Sequence, residues 1–558
     1  MSNVARGMPQ PGRGTRTTKA AHGWRRSLAL ALRRSLDDLF LRVQHGLDVV
    51  IRRLRLGAAP VSDRRRFVIV QIDGLSRAVL EEALARGYMP RLRRLLSGGR
   101  YRMTPMAAGI PTSTPTFQMA IMYGIRPDVP GFHYHDKRRG TDIHFPRAGH
   151  AAFVEASQAG DRRGILEGGS VYGCVFTGGA THDFFSFARL TRPRASGLGR
   201  TASGLAVLGW VAVKGAVLTG QELLLALVRL ARRPARWRTE WRWFLRRTAL
   251  SVWTREWFTF AVARDVYDGV PAIYVNFIDY DEIAHAYGPR SRRALAMLRG
   301  LDRSLRRIQR VIRRVGEYRY DLYVLADHGQ LSCTPYRVIA EGRRFEDAFF
   351  DLVPDEVSHT TPEPEPRIRR PAPDLGFEPY LDGAEARERH AIRVVSAGPN
   401  AFVYFVDTPE PLRLEAIEAR CPGLAASLSK STGVGFVLAR SEIGAICMWR
   451  GERYALADTE RGPFAMRRDR AVVMRGLATL MAMPSAGDLV VYGTDAPEGH
   501  VSYIDEVGAH AGPSPDELHA FVVAPLDVSL PAAIEDPLEL HEVLIGVRYQ
   551  PSAASPVP

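Results

Sequence analysis

Apolar residues fall along this chain in short unbroken runs rather than in one long alternation. Residues 67–73, FVIVQID, are such a run closed by an acid, the pattern of a strand buried on both faces. A helix containing ALARGYMPRLRRLL is predicted after it, then a second strand over 101–106 and a turn into a helix over 110–124. AIYVNFI (272–278) and DLYVLA (321–326) predict two more buried strands, each followed by Asp-containing polar sequence. Strands alternating with helices predict a mostly parallel sheet sandwiched by helices. Ligands in such sheets lie at the carboxyl ends of the strands, and the acids stand at those ends.

Other stretches follow different patterns. Residues 1–66 open on a Gly/Arg/Thr-rich stretch read as disordered, followed by Leu, Phe and Val at helical spacing between arginines. That is a basic amphipathic helix suited to an anionic surface. Its apolar run, Ser27 to Leu32, is short for a signal-peptide core, and no clear cleavage site follows. We therefore expect residues 67–190 to form the first part of a catalytic domain and 191–262 an Arg/Trp-rich apolar helical insertion. The second part is placed at 263–350, an exposed Pro- and charge-rich loop with a small separate α/β lobe at 351–480, the closing part at 481–545 and a tail at 546–558. No internal repeat is visible.

Composition changes this picture in two places. The 558 residues carry a net charge of +16, almost all of it arginine, which points to an anionic partner or to a GC-rich genome. Six of the 8 tryptophans lie within 203–260, beside arginines, a mixture typical of a membrane interface. No nucleic-acid module is recognisable, so a nucleic-acid partner is not expected. The 4 cysteines, Cys174, Cys333, Cys421 and Cys447, are far apart and form no CxxC pair, so they imply neither a disulfide framework nor a zinc knot.

Candidate chemistry sits in islands: Ile72-Asp73-Gly74; Pro111-Thr112-Ser113-Thr114-Pro115-Thr116 with Gly124 beyond; Asp281-Glu282-Ile283-Ala284-His285; Ala326-Asp327-His328-Gly329; and Gly508-Ala509-His510. Carboxylate oxygens and imidazole nitrogens suit zinc and similar divalent ions. Asp281 and His285 are four apart and share a helix face. Any of Thr112, Ser113, Thr114 and Thr116 is a candidate nucleophile.

DEIAHAYGP matches Asp-x-x-x-His-x-x-Gly-Pro, and ADHGQ resembles Ser-Asp-His-Gly-Met. On these motifs the chain resembles the type I phosphodiesterase/nucleotide pyrophosphatase branch of the alkaline-phosphatase superfamily, over roughly 66–135, 270–335 and 485–525. The resemblance implies an alkaline-phosphatase-like α/β fold and a metal-dependent phosphodiesterase/phosphatase-type hydrolase. It implies two divalent ions, zinc being the one expected. Asp281, His285 and His510 would hold one; Asp73, Asp327 and His328 the other, with the Thr114 oxygen reaching it. Thr114 is singled out because the family's nucleophile stands ten residues before the glycine that Gly124 matches. The sulfatase cousins need Arg where Phe117 stands.

Departures accompany the match. The family's Asn after Thr-Phe-Pro is absent; Gln118 and Asn276 are the candidate substitutes. His510-Ala511 replaces His-Gly. His500 and His519 compete with His510 for the last ligand position, which His510 takes because GPSPDELHAFVVAP after it resembles the family's closing strand. His133 and His135 stand just past the nucleophile helix, where they are either polar loop residues or substrate contacts.

The expected activity is cleavage of a phosphate ester, with a diester favoured, through a phosphothreonine at a membrane surface. A phosphomonoesterase or phosphoryl transferase is the alternative within the superfamily, and an inactive membrane-associated scaffold the alternative outside it. The apolar stretch at 204–228 exceeds the ~20 residues needed to span a bilayer. Site residues lie on both sides of it, however, so a single crossing would divide the site. Lys214 and Glu222 interrupt it, and Gly209, Gly215 and Gly220 weaken a continuous helix. A helical hairpin or surface helix is expected, with 229–257 at headgroup level. Association with a membrane is expected; its side and the compartment are not indicated.

Overall fold

The computed structural model describes residues 65–145, 147–184, 198–232, 237–354, 385–389, 391–458 and 460–549, and residue 46. The expected N-terminal amphipathic helix, most of the Pro-rich loop and the end of the tail lie outside the described residues.

The central sheet has seven strands. In chain order they are β1 (Arg66–Ile72), β2 (Tyr101–Ala107), then, past a β3–β4 hairpin (His133–Asp136 and Thr141–His144), β5 (Ser170–Tyr172), β6 (His182–Phe184), β7 (Ala272–Phe277), β8 (Tyr320–Leu325) and β9 (His519–Pro525). Their spatial order is β2-β9-β8-β1-β7-β5-β6. Strands β8, β1, β7, β5 and β6 run parallel, and β9 is antiparallel to both β8 and β2. The architecture is the expected mostly parallel α/β sheet with helices on both faces. All seven residues of β1 are buried, which is why its sequence shows no alternation.

The lobe is not separate. Its strands, 385–389, 392–396, 400–405, 436–441, 444–449 and 452–455, form a second, antiparallel seven-stranded sheet, and the strand Leu489–Tyr492 completes it at the centre. The sequence alone assigns residue 489 to the closing part of the catalytic domain, 481–545. Both faces of this sheet are covered. Phe402, Tyr404, Phe436 and Tyr492 join the main core, while Val403, Phe405, Val437 and Val491 pack a second core behind. Period-two alternation thus divides one strand between two cores.

The insertion is helical, as expected, but continuous. Helix α2 (Leu198–Arg232; α1 being Thr114–Tyr123) runs unbroken for 35 residues, so of the two expected forms, a hairpin and a surface helix, it is not the hairpin. Gly215 does not break it but lets it approach its neighbour, since a Cβ there would sit 2.9 Å from the Trp253 ring. The polar interruptions are internal ion pairs. Lys214 and Arg307 both bind Glu256, and Glu222 meets Arg247 at 3.0 Å. These tie α2 to a helical path over 237–268, which ends at Gly269 (φ +72°), six residues beyond the expected boundary. Among the described residues no helix is long and apolar enough to cross a membrane.

Candidate active site

The islands converge at the carboxyl ends of the central strands. Asp73 follows β1, Asp281 and His285 lie on helix α3 (Asp279–Tyr287) after β7, and Asp327 and His328 follow β8. Thr114 is the first residue of α1, and His510 is in the loop leading to β9. Thr114 Oγ1 lies 3.1 Å from His328 Nε2 and 3.4 Å from Asp73 Oδ1. The ligand atoms of Asp73, Asp327 and His328 lie within 4.8 Å of one another, and so do those of Asp281, His328 and His510. His285 Nε2 approaches Asp281 Oδ2 at 3.3 Å, and the His328 and His510 rings stack at 3.8 Å. All these side chains are buried except His510, which is half-buried.

The donors fit divalent cations. His328 Nδ1 faces the Gly329 carbonyl (3.1 Å), His510 Nδ1 the Thr112 carbonyl (2.8 Å), and His285 Nδ1 both the Gly508 carbonyl (2.8 Å) and Glu506 (2.7 Å). These partners only accept, so in the neutral rings the proton sits on Nδ1 and each Nε2 presents a lone pair. Those lone pairs face carboxylate oxygens. Acceptor meets acceptor throughout, an arrangement that needs a cation or a proton between. Asp327 Oδ2 accepts no hydrogen bond among the described residues.

Charge repulsion marks the same need. Burial, with the neighbouring carboxylates of Asp327 and Asp281, pushes the Asp73 carboxyl well above its usual range. Burial and Asp281 push Asp327 up to about 7. Burial would lower the His285 imidazole, but Asp281 and Glu506 hold it well above its usual range, so a proton stands where a cation would.

Sequence reasoning missed the residues that position this cluster. Glu506 holds His285 and is itself fixed by Ser502 at 2.8 Å. Gln330 donates to the Asp281 carboxylate. Its only signal is that it replaces the expected methionine. Glu517 accepts from the Ala511 and Gly512 amides at 3.0 and 2.8 Å and so anchors the His510 loop. Gly74, at φ +69°, leaves room for Asp281, whose Oδ1 would lie 2.2 Å from a Cβ there.

Of the open candidates, Asn276 Nδ2 donates to Asp73 Oδ2 at 2.6 Å, and Gln118 is spent on Gln71 and the Val175 amide. His500 bonds the Asp495 amide and His519 bonds Asp469, both outside the cluster. His135 is turned to Asp142, whereas His133 lines a pocket beside the cluster. No two cysteines form a disulfide.

A parallel α/β sheet with paired carboxylate–imidazole groups at its strand ends defines a metal-binding α/β hydrolase type of site. The type I phosphodiesterase / nucleotide pyrophosphatase family model matches residues 67–353, and the chain belongs to that family, whose members are divalent-metal-dependent phosphoester hydrolases. Similar solved structures include phosphonoacetate hydrolase from Sinorhizobium meliloti 1021 with phosphonoformate (TM-score 0.44, 16% identity, 88% of this chain and 97% of that chain covered). The same enzyme with phosphonoacetate gives a TM-score of 0.44 at 15% identity, with 88% and 97% covered. Human ectonucleotide pyrophosphatase / phosphodiesterase 5 gives 0.41 at 11%, with 86% and 94% covered. No curated protein matches the chain.

Proposed function

We propose that this chain is a phosphodiesterase that forms a phosphothreonine at Thr114 and works on an anionic membrane surface. The observation that carries the chemistry is the Thr114 hydroxyl, set 3.1 Å from an imidazole lone pair inside a cluster built for cations. Asp73, Asp327 and His328 would hold one divalent ion, Asp281, His285 and His510 the other; zinc suits this oxygen and nitrogen set. When bound, two such ions lower the pKa of the attacking oxygen and neutralise charge on the phosphoryl group.

The chain's own part is positional. Ser113, in extended conformation, and the fixed φ of Pro115 start the helix at Thr114 and aim its hydroxyl into the cluster. Thr114 Oγ forms a bond to phosphorus as the P–O bond to the alcohol breaks, and the alcohol leaves with a proton. Water then attacks phosphorus, releasing the monoester and restoring the hydroxyl.

The membrane part rests on the outer face of the insertion. Val213, Val217, Leu224, Leu227 and Val228 form a stripe on α2, each at least 41% exposed, while Lys214, Gly215, Glu222 and Ala226 face inward. Trp237, Trp241 and Trp253 are exposed near it, with exposed Arg238 and Arg242. Apolar residues with Trp and Arg at their edge fit the interfacial zone of a bilayer. The full chain is expected to sediment with anionic vesicles at low salt, and Leu224→Glu with Leu227→Glu to weaken that binding about tenfold or more. A wild-type protein left in the supernatant removes the membrane part and leaves the chemistry standing.

A further inference from the structure

The cluster opens on one side into a small cavity of about 50 Å³ whose wall includes Ser113, Phe132, His133, His144, Ala397 and Ile504, with His285, Glu506 and His510 at its inner end. Two buried polar atoms on this wall have no hydrogen-bond partner among the described residues: Ser113 Oγ and His133 Nδ1. Ser113 is 2% and His133 4% exposed, so water does not satisfy them freely. A buried donor or acceptor left unpaired costs about 1–3 kcal/mol, so two on one wall point to a ligand. The His144 ring meets the rings of Phe132 and His133 edge-on.

The wall is held rigidly. His133 and His144 face each other across the β3–β4 hairpin. Asp142 on that hairpin meets His135 at 2.8 Å, His133 Nε2 at 3.8 Å and the Arg393 guanidinium of the second sheet. Lys137, buried, reaches Asp488 at 3.0 Å and fixes the same hairpin to the same sheet.

We propose that Ser113, His133 and His144 bind the alcohol that leaves when the phosphodiester is cleaved, and that this alcohol is small, uncharged and hydroxylated, of glycerol size. The inference rests on the phosphodiesterase reading above. Size follows from the cavity: a water needs about 10–15 Å³ of such volume, so the sheltered space takes a group equivalent to three to five waters, which a glycerol-sized alcohol fills. Charge follows from the wall. Burial, with His133 and Arg147 nearby, pushes His144 down to about 3, so its ring is neutral and both donates and accepts. Ser113 does the same. The Glu506 oxygens are engaged by His285 and Ser502. An ammonium or carboxylate would enter unpaired, at a cost that hydroxyls avoid.

The test is steady-state kinetics of the metal-loaded full chain on glycerophosphoglycerol and on bis-p-nitrophenyl phosphate. His133→Ala and His144→Ala are each expected to lower the ratio of kcat/KM for the glycerol diester over the aryl diester tenfold or more, chiefly through KM. His144→Gln, which keeps a donor and an acceptor, should recover much of the ratio, separating recognition from misfolding. Phosphatidylglycerol vesicles hydrolysed faster than the soluble diester would mark a lipid headgroup as the source; the reverse would mark a free diester. Wild-type activity with an unchanged ratio in both alanine variants overturns this pocket alone. A wild-type protein inert toward both diesters overturns the phosphodiesterase reading along with it.

Discussion

Thr114→Ala is expected to lower phosphodiester turnover by about three orders of magnitude or more, because a covalent route loses its only attacking atom. Fold and metal content should hardly change. The hydroxyl contacts His328 Nε2 and Asp73 Oδ1, and the side chain that anchors the start of α1 on the Val129 carbonyl is Thr116, not Thr114. Thr114→Ser should keep measurable turnover, since it supplies the same kind of oxygen. Thr116→Ala is the internal comparison. Its hydroxyl is committed to a backbone carbonyl at 3.0 Å, so its loss should cost stability more than rate. Mass spectrometry of acid-quenched wild-type protein should find the phosphoryl group on the peptide holding Thr114. Near wild-type turnover in Thr114→Ala would show that another hydroxyl attacks, or none.

The sheet was legible because its strands are buried on both faces and carry their acids at one end, so FVIVQID, AIYVNFI and DLYVLA needed no partner information to be read. The ligand positions were legible through spacing, above all Asp281 and His285 on one helix turn. What was not legible depends on residues distant in sequence. Glu506 stands 221 residues from His285 and belongs to no motif. Leu489–Tyr492 looks like any buried strand, and only pairing with 400–405 and 436–441 places it at the centre of the second sheet. The insertion misled for a related reason. Lys214 and Glu222 look like breaks in an apolar stretch until Glu256, Arg307 and Arg247 are placed against them. Three glycines look like weak points in a helix until Trp253 is seen to lie over one of them. Propensity yields to packing at such sites.

Metal removal is expected to destabilise the protein, and more so as pH rises. In the metal-free chain Asp327 has its folded pKa at about 7, against 3.8 as the ordinary value, and Asp73 is raised well above its own. A carboxyl raised on folding holds its proton more tightly in the native state, so stability is lost as pH climbs from about 4 through the folded pKa. Glu282 and Glu517, both pushed up to about 7 chiefly by burial, act in the same direction. His285, raised by Asp281 and Glu506, stabilises the fold below its ordinary 6.5 and loses that contribution as pH rises through its folded value. Two ligands shift the other way: Asp281, held low by His285 against its burial, contributes fully above its ordinary 3.8, and His510, lowered by burial and His328, carries a penalty that fades as pH rises past 6.5. Between pH 6.5 and 8 the raised groups therefore set the sign. Most of the Asp327 cost is already present at pH 6.5, so the step from 6.5 to 8 adds about 1 kcal/mol from this carboxyl. For a chain of this length that corresponds to a fall in Tm of about 1 °C, to which the other raised groups add. Bound cations should erase the effect, because they favour deprotonated ligands and bind better as pH rises. Differential scanning calorimetry of chelator-treated and metal-loaded protein at pH 6.5 and 8 measures both trends. The gap in Tm should widen with pH and close on adding zinc. Superimposable curves at both pH values would show that the cluster holds no structural cation.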